Sequence, residues 1–163
     1  MKARILVVDD DAQIRDLLTT FLERDGYEIE TADSAHSAIT AMENSAFDIV
    51  LTDKNMPDGS ADVEAGMLVL QHVKEHAPTT EVIMITGFAT IETAIEAMKM
   101  GAFDYIMKPV PMDELRRKIE RILEYKEFIN SENNLQIYRT LQTNSSISLK
   151  TTPSCLKTRC SIC

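Results

Sequence analysis

Five residues in this chain stand directly after, or close the end of, short apolar runs and carry groups capable of chemistry. They are Asp9 and Asp10 after Ile5–Val8, Asp53 after Phe47–Thr52, Thr86 after Val82–Ile85, and Lys108 after Phe103–Met107. Three carboxylates brought together repel and raise one another's pKa unless a cation neutralises them. Oxygen ligands without His or Cys favour Mg²⁺, Mn²⁺ or Ca²⁺, and a site with few protein ligands, leaving room for water and a phosphate oxygen, suits Mg²⁺ best. Lys108 adds a point positive charge and Thr86 a hydroxyl donor. Gathered in one place, these groups would surround a phosphoryl group in transfer, with one carboxylate as its acceptor. Taken singly each has a plainer use. An aspartate after a strand commonly caps a turn or helix, Thr86 alone would cap the next helix, and a lone lysine is usually solvated. Recurrence at successive strand ends carries the argument.

The hydrophobic pattern supplies the elements that would bring them together. Ile5–Val8 is a candidate buried strand, followed by Ile14, Leu17, Leu18, Phe21 and Leu22 on one helical face, ending near Gly26. Tyr27–Thr31 alternates like a strand, and Ser34 is placed to cap a helix carrying Ala38, Ile39 and Met42. Phe47–Thr52 is strand-like, and a turn-rich stretch, Met56–Gly59, leads to a helix with Met67, Leu70 and Val73. Val82–Ile85 predicts a fourth strand, and Ile91, Ala94, Ile95 and Met98 a fourth amphipathic helix closed by Gly101. Phe103–Met107 predicts a fifth strand, stopped by Pro109 and Pro111, and a last helix from Met112 with Leu115, Ile119, Ile122 and Leu123 inward. Strand and helix thus alternate five times. That order implies an α/β fold, a doubly wound parallel sheet of five strands covered on both faces. In the flavodoxin-like (βα)5 pattern the strand order is 2-1-3-4-5, which sets strands one and three side by side and converges their carboxylates.

Composition narrows the setting. The net charge of −9 is uneven: residues 130–163 hold Arg139, Lys150, Lys157 and Arg159 against Glu132, so this stretch is +3 and residues 1–129 are −12. An acidic body repels nucleic-acid phosphates, so direct nucleic-acid binding is not expected. No apolar run approaches the roughly 20 residues of a membrane span, and MKARILVVDDD does not read as a signal peptide. With Cys155, Cys160 and Cys163 all near the C-terminus, the folded body has no disulfide to offer, which suits the cytoplasm. Fifteen of the last 34 residues are Ser, Thr or Asn, so residues 130–163 read as a tail with little structure of its own, or a truncated linker.

ILVVDDD, LTDKNMP, MITG and YIMKP resemble the four signature segments of bacterial two-component response-regulator receiver domains, in matching order and spacing over about residues 1–125. The resemblance implies that Asp53 is the phosphoacceptor. It implies that Asp10, Asp53 and the backbone carbonyl of Asn55 ligate Mg²⁺, with Asp9 acting largely through water. Lys108 would bond the phosphoryl oxygens, Thr86 would report them, Tyr105 would be the aromatic switch residue, and Lys108–Pro109 would be cis. Implied partners are a histidine kinase or histidine phosphotransfer protein, and a phosphorylation-dependent homodimer through the face of helix four, strand five and helix five. ITGFATIETAIEAMKMGAFDYIMKP is similar to receivers of the nitrogen-regulatory type, which precede an ATPase and a DNA-binding module in activators of sigma-54-dependent transcription. The sequence has neither a GxxxxGK[ST] loop nor a helix-turn-helix, so it reads as a receiver domain, 1–129, standing alone or cut from its output. It departs from the family between Pro57 and Gly66, where DGSADVEA (58–65) exceeds the usual Met-Pro-x-x-x-Gly connection. Such a loop could alter access, partner choice or phosphate lifetime, or be a harmless insertion.

Other readings are weaker. A haloacid-dehalogenase-type phosphatase wants Asp-x-Asp-x-Thr or Val after strand one, but Gln13 takes the last place. A constitutive coiled-coil dimer through the last helix has Leu115, Ile122 and Ile129 every seven residues, with Lys126 and Asn133 interrupting the companion row. Asp53–Glu64 resembles a calcium loop, but Pro57 takes its fifth place. Cys155, Cys160 and Cys163 lack the fourth cysteine of an iron–sulfur site, and CSIC only loosely fits a prenylation box. His36, His72 and His76 are expected at the surface, without ligand or phosphodonor roles.

Overall fold

The computed structural model of this chain describes residues 2–56, 64–88, 90–131, 136, 139 and 140. Ten elements alternate: β1 (Arg4–Val8), α1 (Ala12–Arg24), β2 (Glu28–Ala32), α2 (Ala35–Asn44), β3 (Ile49–Asp53), α3 (Ala65–His76), β4 (Glu81–Thr86), α4 (Ile91–Lys99), β5 (Asp104–Met107) and α5 (Met112–Asn130). The strands form one parallel sheet in order β2-β1-β3-β4-β5, as the alternation predicts. The chain divides at the Glu120–Arg121 bond into Met1–Glu120 and Arg121–Cys163. All five strands belong to the first unit. In the second, α5 runs on to Asn130, with Ile122 buried and Tyr125, Phe128 and Ile129 exposed.

Pleating sends alternate strand residues to opposite faces. Leu6, Val8, Val50, Val82 and Met84 join Ala38, Leu70, Val73 and Ala97 in one buried cluster under α2, α3 and α4. Ile5, Val7, Ile49, Leu51, Ile83 and Ile85 are equally buried on the other side, where α1 contributes Leu18 and Leu22 and α5 Leu115 and Ile119. Helix starts follow local chemistry. Asp11 accepts from Gln13 N, and Ser34 and Thr90 form capping boxes with Ser37 and Thr93. Gly26 and Gly101, expected at helix ends, take left-handed φ of 94° and 99°.

Three expectations shift. β2 is Glu28–Ala32, one residue later than its alternation suggests, because it pairs in register with Arg4–Val8. Leu17 is exposed although its spacing fits the inner face of α1. In α4 the buried residue is Ala97, whose small side chain lets the helix sit close to the sheet, while Ile91, Ile95 and Met98 are exposed, Ile91 by 77%. The expected turn at Met56–Gly59 beyond its first residue, DGSADV (58–63) and most of residues 130–163, cysteines included, lie outside the described residues.

One glycine sets how closely α3 approaches the end of β3. A Cβ on Gly66 would collide with the Asp53 carbonyl oxygen and lie 2.6 Å from Lys54 Cα. Both obstacles are backbone, which cannot swing aside. Gly66→Ala should therefore cost about 2 kcal/mol, within the roughly 1–3 typical of overpacking. Urea unfolding measures it, and a midpoint equal to wild type would show that α3 can move freely.

Candidate functional site

Sheet hydrogen bonds continue the ladders one rung past β1, β3 and β5. Asp9 N donates to Ala32 O at 3.1 Å, Lys54 N to Ile85 O at 3.0 Å, and Lys108 N to Thr86 O at 2.8 Å. The backbone at the carboxyl edge is thus fixed while its side chains face outward from the strand ends, the place where open parallel sheets bind ligands.

There four of the sequence's five residues meet, and the fifth, Thr86, ends the neighbouring β4. Carboxylate oxygens of Asp9, Asp10 and Asp53 all lie within 4.8 Å of one another, Asp9 and Asp53 buried and Asp10 exposed. Lys108 Nζ donates to Asp9 Oδ2 at 2.8 Å and to Asp53 Oδ2 at 3.0 Å. Asp53 Oδ1 accepts from Asn55 N at 3.2 Å, and Asp9 Oδ1 from Asp11 N at 2.9 Å. Arg15 Nη1 donates to the Asp9 carbonyl at 2.7 Å. Thr86, fully buried, accepts from Phe88 N at 3.2 Å through Oγ1. The Lys108–Pro109 bond is cis. Tyr105 lies on β5 and packs against the buried cluster, its hydroxyl buried with no hydrogen-bond partner among the described residues.

Burial pushes the Asp53 carboxyl above its ordinary value, with the Asp9 charge acting the same way; Lys108 and the Asn55 amide offset this in part. Burial alone would lower the Lys108 ammonium, but hydrogen bonds to Asp9 and Asp53 outweigh it and hold that group above its ordinary value. One ammonium faces three carboxylates, and the donors are hard oxygens. The residues present therefore fit a divalent oxygen-seeking cation such as Mg²⁺ among the carboxylates of Asp9, Asp10 and Asp53.

Two parts of the site escape the sequence reading. Lys54, next to the central carboxylate, is buried and pairs with Glu64 at 2.7 Å. A lysine after a strand gives no signal of burial, since lysines are rarely buried unless paired and the partner lies ten residues on. The close approach of Gly66 was legible only as a glycine. The three histidines form no part of the site: His72 and His76 stack on each other, ring centroids 4.3 Å apart, and His36 is exposed. A separate cavity of about 440 Å³, bordered by Glu43, Phe47, His76 and Thr80, opens at the other end of the sheet.

The sequence matches the response regulator receiver domain family over residues 5–120. It is 36% identical over 121 residues to the regulatory protein AtoC of Escherichia coli strain K12, covering 74% of this chain and 25% of that protein. It is 35% identical to the DNA-binding transcriptional regulator NtrC of Proteus hauseri, covering 83% and 28%. The fold superposes on the receiver domain of NtrX from Brucella abortus with a TM-score of 0.67 at 41% identity, covering 74% of this chain and 98% of that one. The chain thus spans about a quarter of the length of these curated relatives.

The raised Asp53 carboxyl gives a pH signature. Between the unfolded value near 3.8 and the higher folded value, the fold binds more protons, so stability falls as pH rises through that window. At neutral pH, without divalent cation, Asp53→Asn is therefore expected to melt higher than wild type, with the gap closing below about pH 4. Millimolar Mg²⁺ should raise the wild-type midpoint by mass action and leave the Asn variant nearly unmoved. Equal midpoints for the two proteins at pH 7 would show that the Asp53 charge is not under strain.

Proposed function

This chain belongs to the response regulator receiver domain family, and from that premise we propose that it is a phosphoacceptor switch in which Asp53 takes a phosphoryl group from a histidine kinase or histidine phosphotransfer protein. The observation that carries this reading is the Lys108 ammonium lying between Asp9 and Asp53 beside Asp10. Asp10, Asp53 and the Asn55 carbonyl would hold Mg²⁺, with Asp9 alongside. When bound, that ion supplies charge neutralisation for the phosphoryl oxygens.

The chain's own groups account for the rest. An Asp53 carboxylate oxygen attacks phosphorus in line; the P–N bond of the phosphohistidine breaks, its electron pair passes to the imidazole, and the ring takes up a proton. Lys108 exchanges its Asp53 contact for the arriving phosphoryl oxygens, staying charged across the neutral range because its ammonium is held above its ordinary value. Thr86 can rotate its hydroxyl from the Phe88 amide toward a phosphoryl oxygen. The Tyr105 hydroxyl is buried without a partner among the described residues, a burial that ordinarily costs about 1–3 kcal/mol, and its present position is one that a rearrangement at Thr86 can tip. The chain assists its own phosphotransfer and dephosphorylation without turning over a separate substrate. Its place of action in this reading is the cytoplasm, as for response regulators generally; separately, no described helix is long and apolar enough to cross a membrane. An acidic body leaves DNA contact to other modules, and the family relatives make transcription the regulated output. Residues 1–129 serve as the receiver and 130–163 as linker or tail.

Intact-protein mass after acetyl phosphate treatment tests the acceptor. Wild type should gain one phosphoryl adduct in Mg²⁺ and none without it, and Asp53→Asn should gain none. An acid-stable adduct retained by the Asn variant would move the chemistry to another residue. The readout face is the exposed apolar row of Ile91, Ile95 and Met98 on α4 with Met107 on β5. Light scattering should show phosphorylation-dependent dimerisation of wild type that Ile95→Glu abolishes without changing the adduct; a mass unchanged by phosphorylation would remove this step.

A further inference from the structure

Lys54 is the residue immediately after the acceptor, and its side chain is 2% exposed, yet nothing in the phosphotransfer scheme uses it. It is tied down three ways. Its amide donates to Ile85 O at 3.0 Å, its carbonyl accepts from Gly66 N at 3.1 Å, and its ammonium meets Glu64 Oε1 at 2.7 Å. Two of these ties join β3 to the start of α3. Glu64 is the residue before α3 and makes no side-chain cap to that helix, so its carboxylate is committed to Lys54. Between the ties lies the peptide that presents Asn55, whose amide holds Asp53 Oδ1 at 3.2 Å.

We propose that the Lys54–Glu64 ion pair is a positioning device that fixes the Asp53–Asn55 backbone, and through it the orientation of the acceptor carboxylate and the Asn55 carbonyl. The proposal rests on the acceptor reading above. An ion pair whose ammonium is buried and whose carboxylate is half-exposed is a poor choice for stability alone, because desolvating the charge offsets much of the attraction and an apolar replacement of similar volume is often neutral or stabilising. What it supplies is direction: an ammonium on a four-carbon stem reaches one oxygen, and that oxygen sits at the first turn of α3. Loss of this tie leaves the Lys54–Asn55 peptide held to α3 by the Gly66 N bond to the Lys54 carbonyl alone, and so looser, while the sheet rung at Lys54 N stays in place.

The full chain with Lys54→Met, Glu64→Gln or both changes tests it. Methionine keeps the buried stem's volume and leaves a half-exposed glutamate free to be solvated, so the melting temperature should hold. In metal-free protein, exchange of the Asn55 amide, followed by NMR, should accelerate at least fivefold in each variant. Labelling by acetyl phosphate at saturating Mg²⁺ should slow about tenfold, less than the roughly hundredfold that a 1 Å misplacement can cost. The double variant should be no slower than the slower single, because both act through one contact. Wild-type Asn55 protection and wild-type labelling in both singles would overturn the proposal, as would effects that add in the double. If wild type takes no label, the acceptor reading fails, while Asn55 exchange in the metal-free protein still decides the positioning role. Glu64 is 42% exposed, so its variant carries the test alone if Lys54→Met does not fold.

Discussion

Two carboxylates from different strands share one ammonium nitrogen that lies far along the chain from both: Lys108 Nζ sits 2.8 Å from Asp9 and 3.0 Å from Asp53. Two buried carboxylates without that ammonium would face each other unscreened, and breaking a buried pair by removing one partner ordinarily costs about 3–5 kcal/mol. The sheet order is what allows the arrangement. β1 and β3 must be neighbours for Asp9 and Asp53 to meet, and β5 must end level with them for Lys108 to reach across β4. The extra rungs at Asp9, Lys54 and Lys108 keep these levels equal. Fold and charge are therefore mutually dependent: the hydrophobic strands set the distances, and the ammonium makes the distances tolerable.

How much of this could be read from the sequence depended on whether the determining force was local. Strand–helix alternation and the residues at strand ends are local patterns, so the sheet order, the helix cap at Ser34, and the meeting of Asp9, Asp10, Asp53 and Lys108 were legible. Side-chain burial was less so. Periodicity reports that α4 has an apolar stripe but not which way it faces, and Ala97 rather than Ile91 or Ile95 turned inward. Leu17 failed similarly on α1. Lys54–Glu64 was invisible, because a buried charge is recognised only through its partner, and the partner lay ten residues on with no periodic pattern linking the two.

Polar and apolar roles are divided between the two ends of β4 and β5. Their carboxyl ends supply Thr86 and Lys108 to a charged pocket, while the neighbouring α4 surface leaves Ile91, Ile95 and Met98 in water. Tyr105 stands between, its ring against the core and its hydroxyl without a hydrogen-bond partner among the described residues. The charged pocket and the packed core thus share one short strand.

The connection from β3 to α3 begins at Lys54 and returns at Glu64 and Gly66, where backbone and side chain are fastened together. Fastening at both feet separates the length of this connection from the geometry of the pocket. Each doubling of a closed loop costs only about 0.6 kcal/mol in closure entropy, so lineages could lengthen or trim it with little penalty while the Gly66 contact is kept. For an engineer the same property makes it a grafting port: a reporter epitope spliced between the two feet would ride beside the pocket without displacing it.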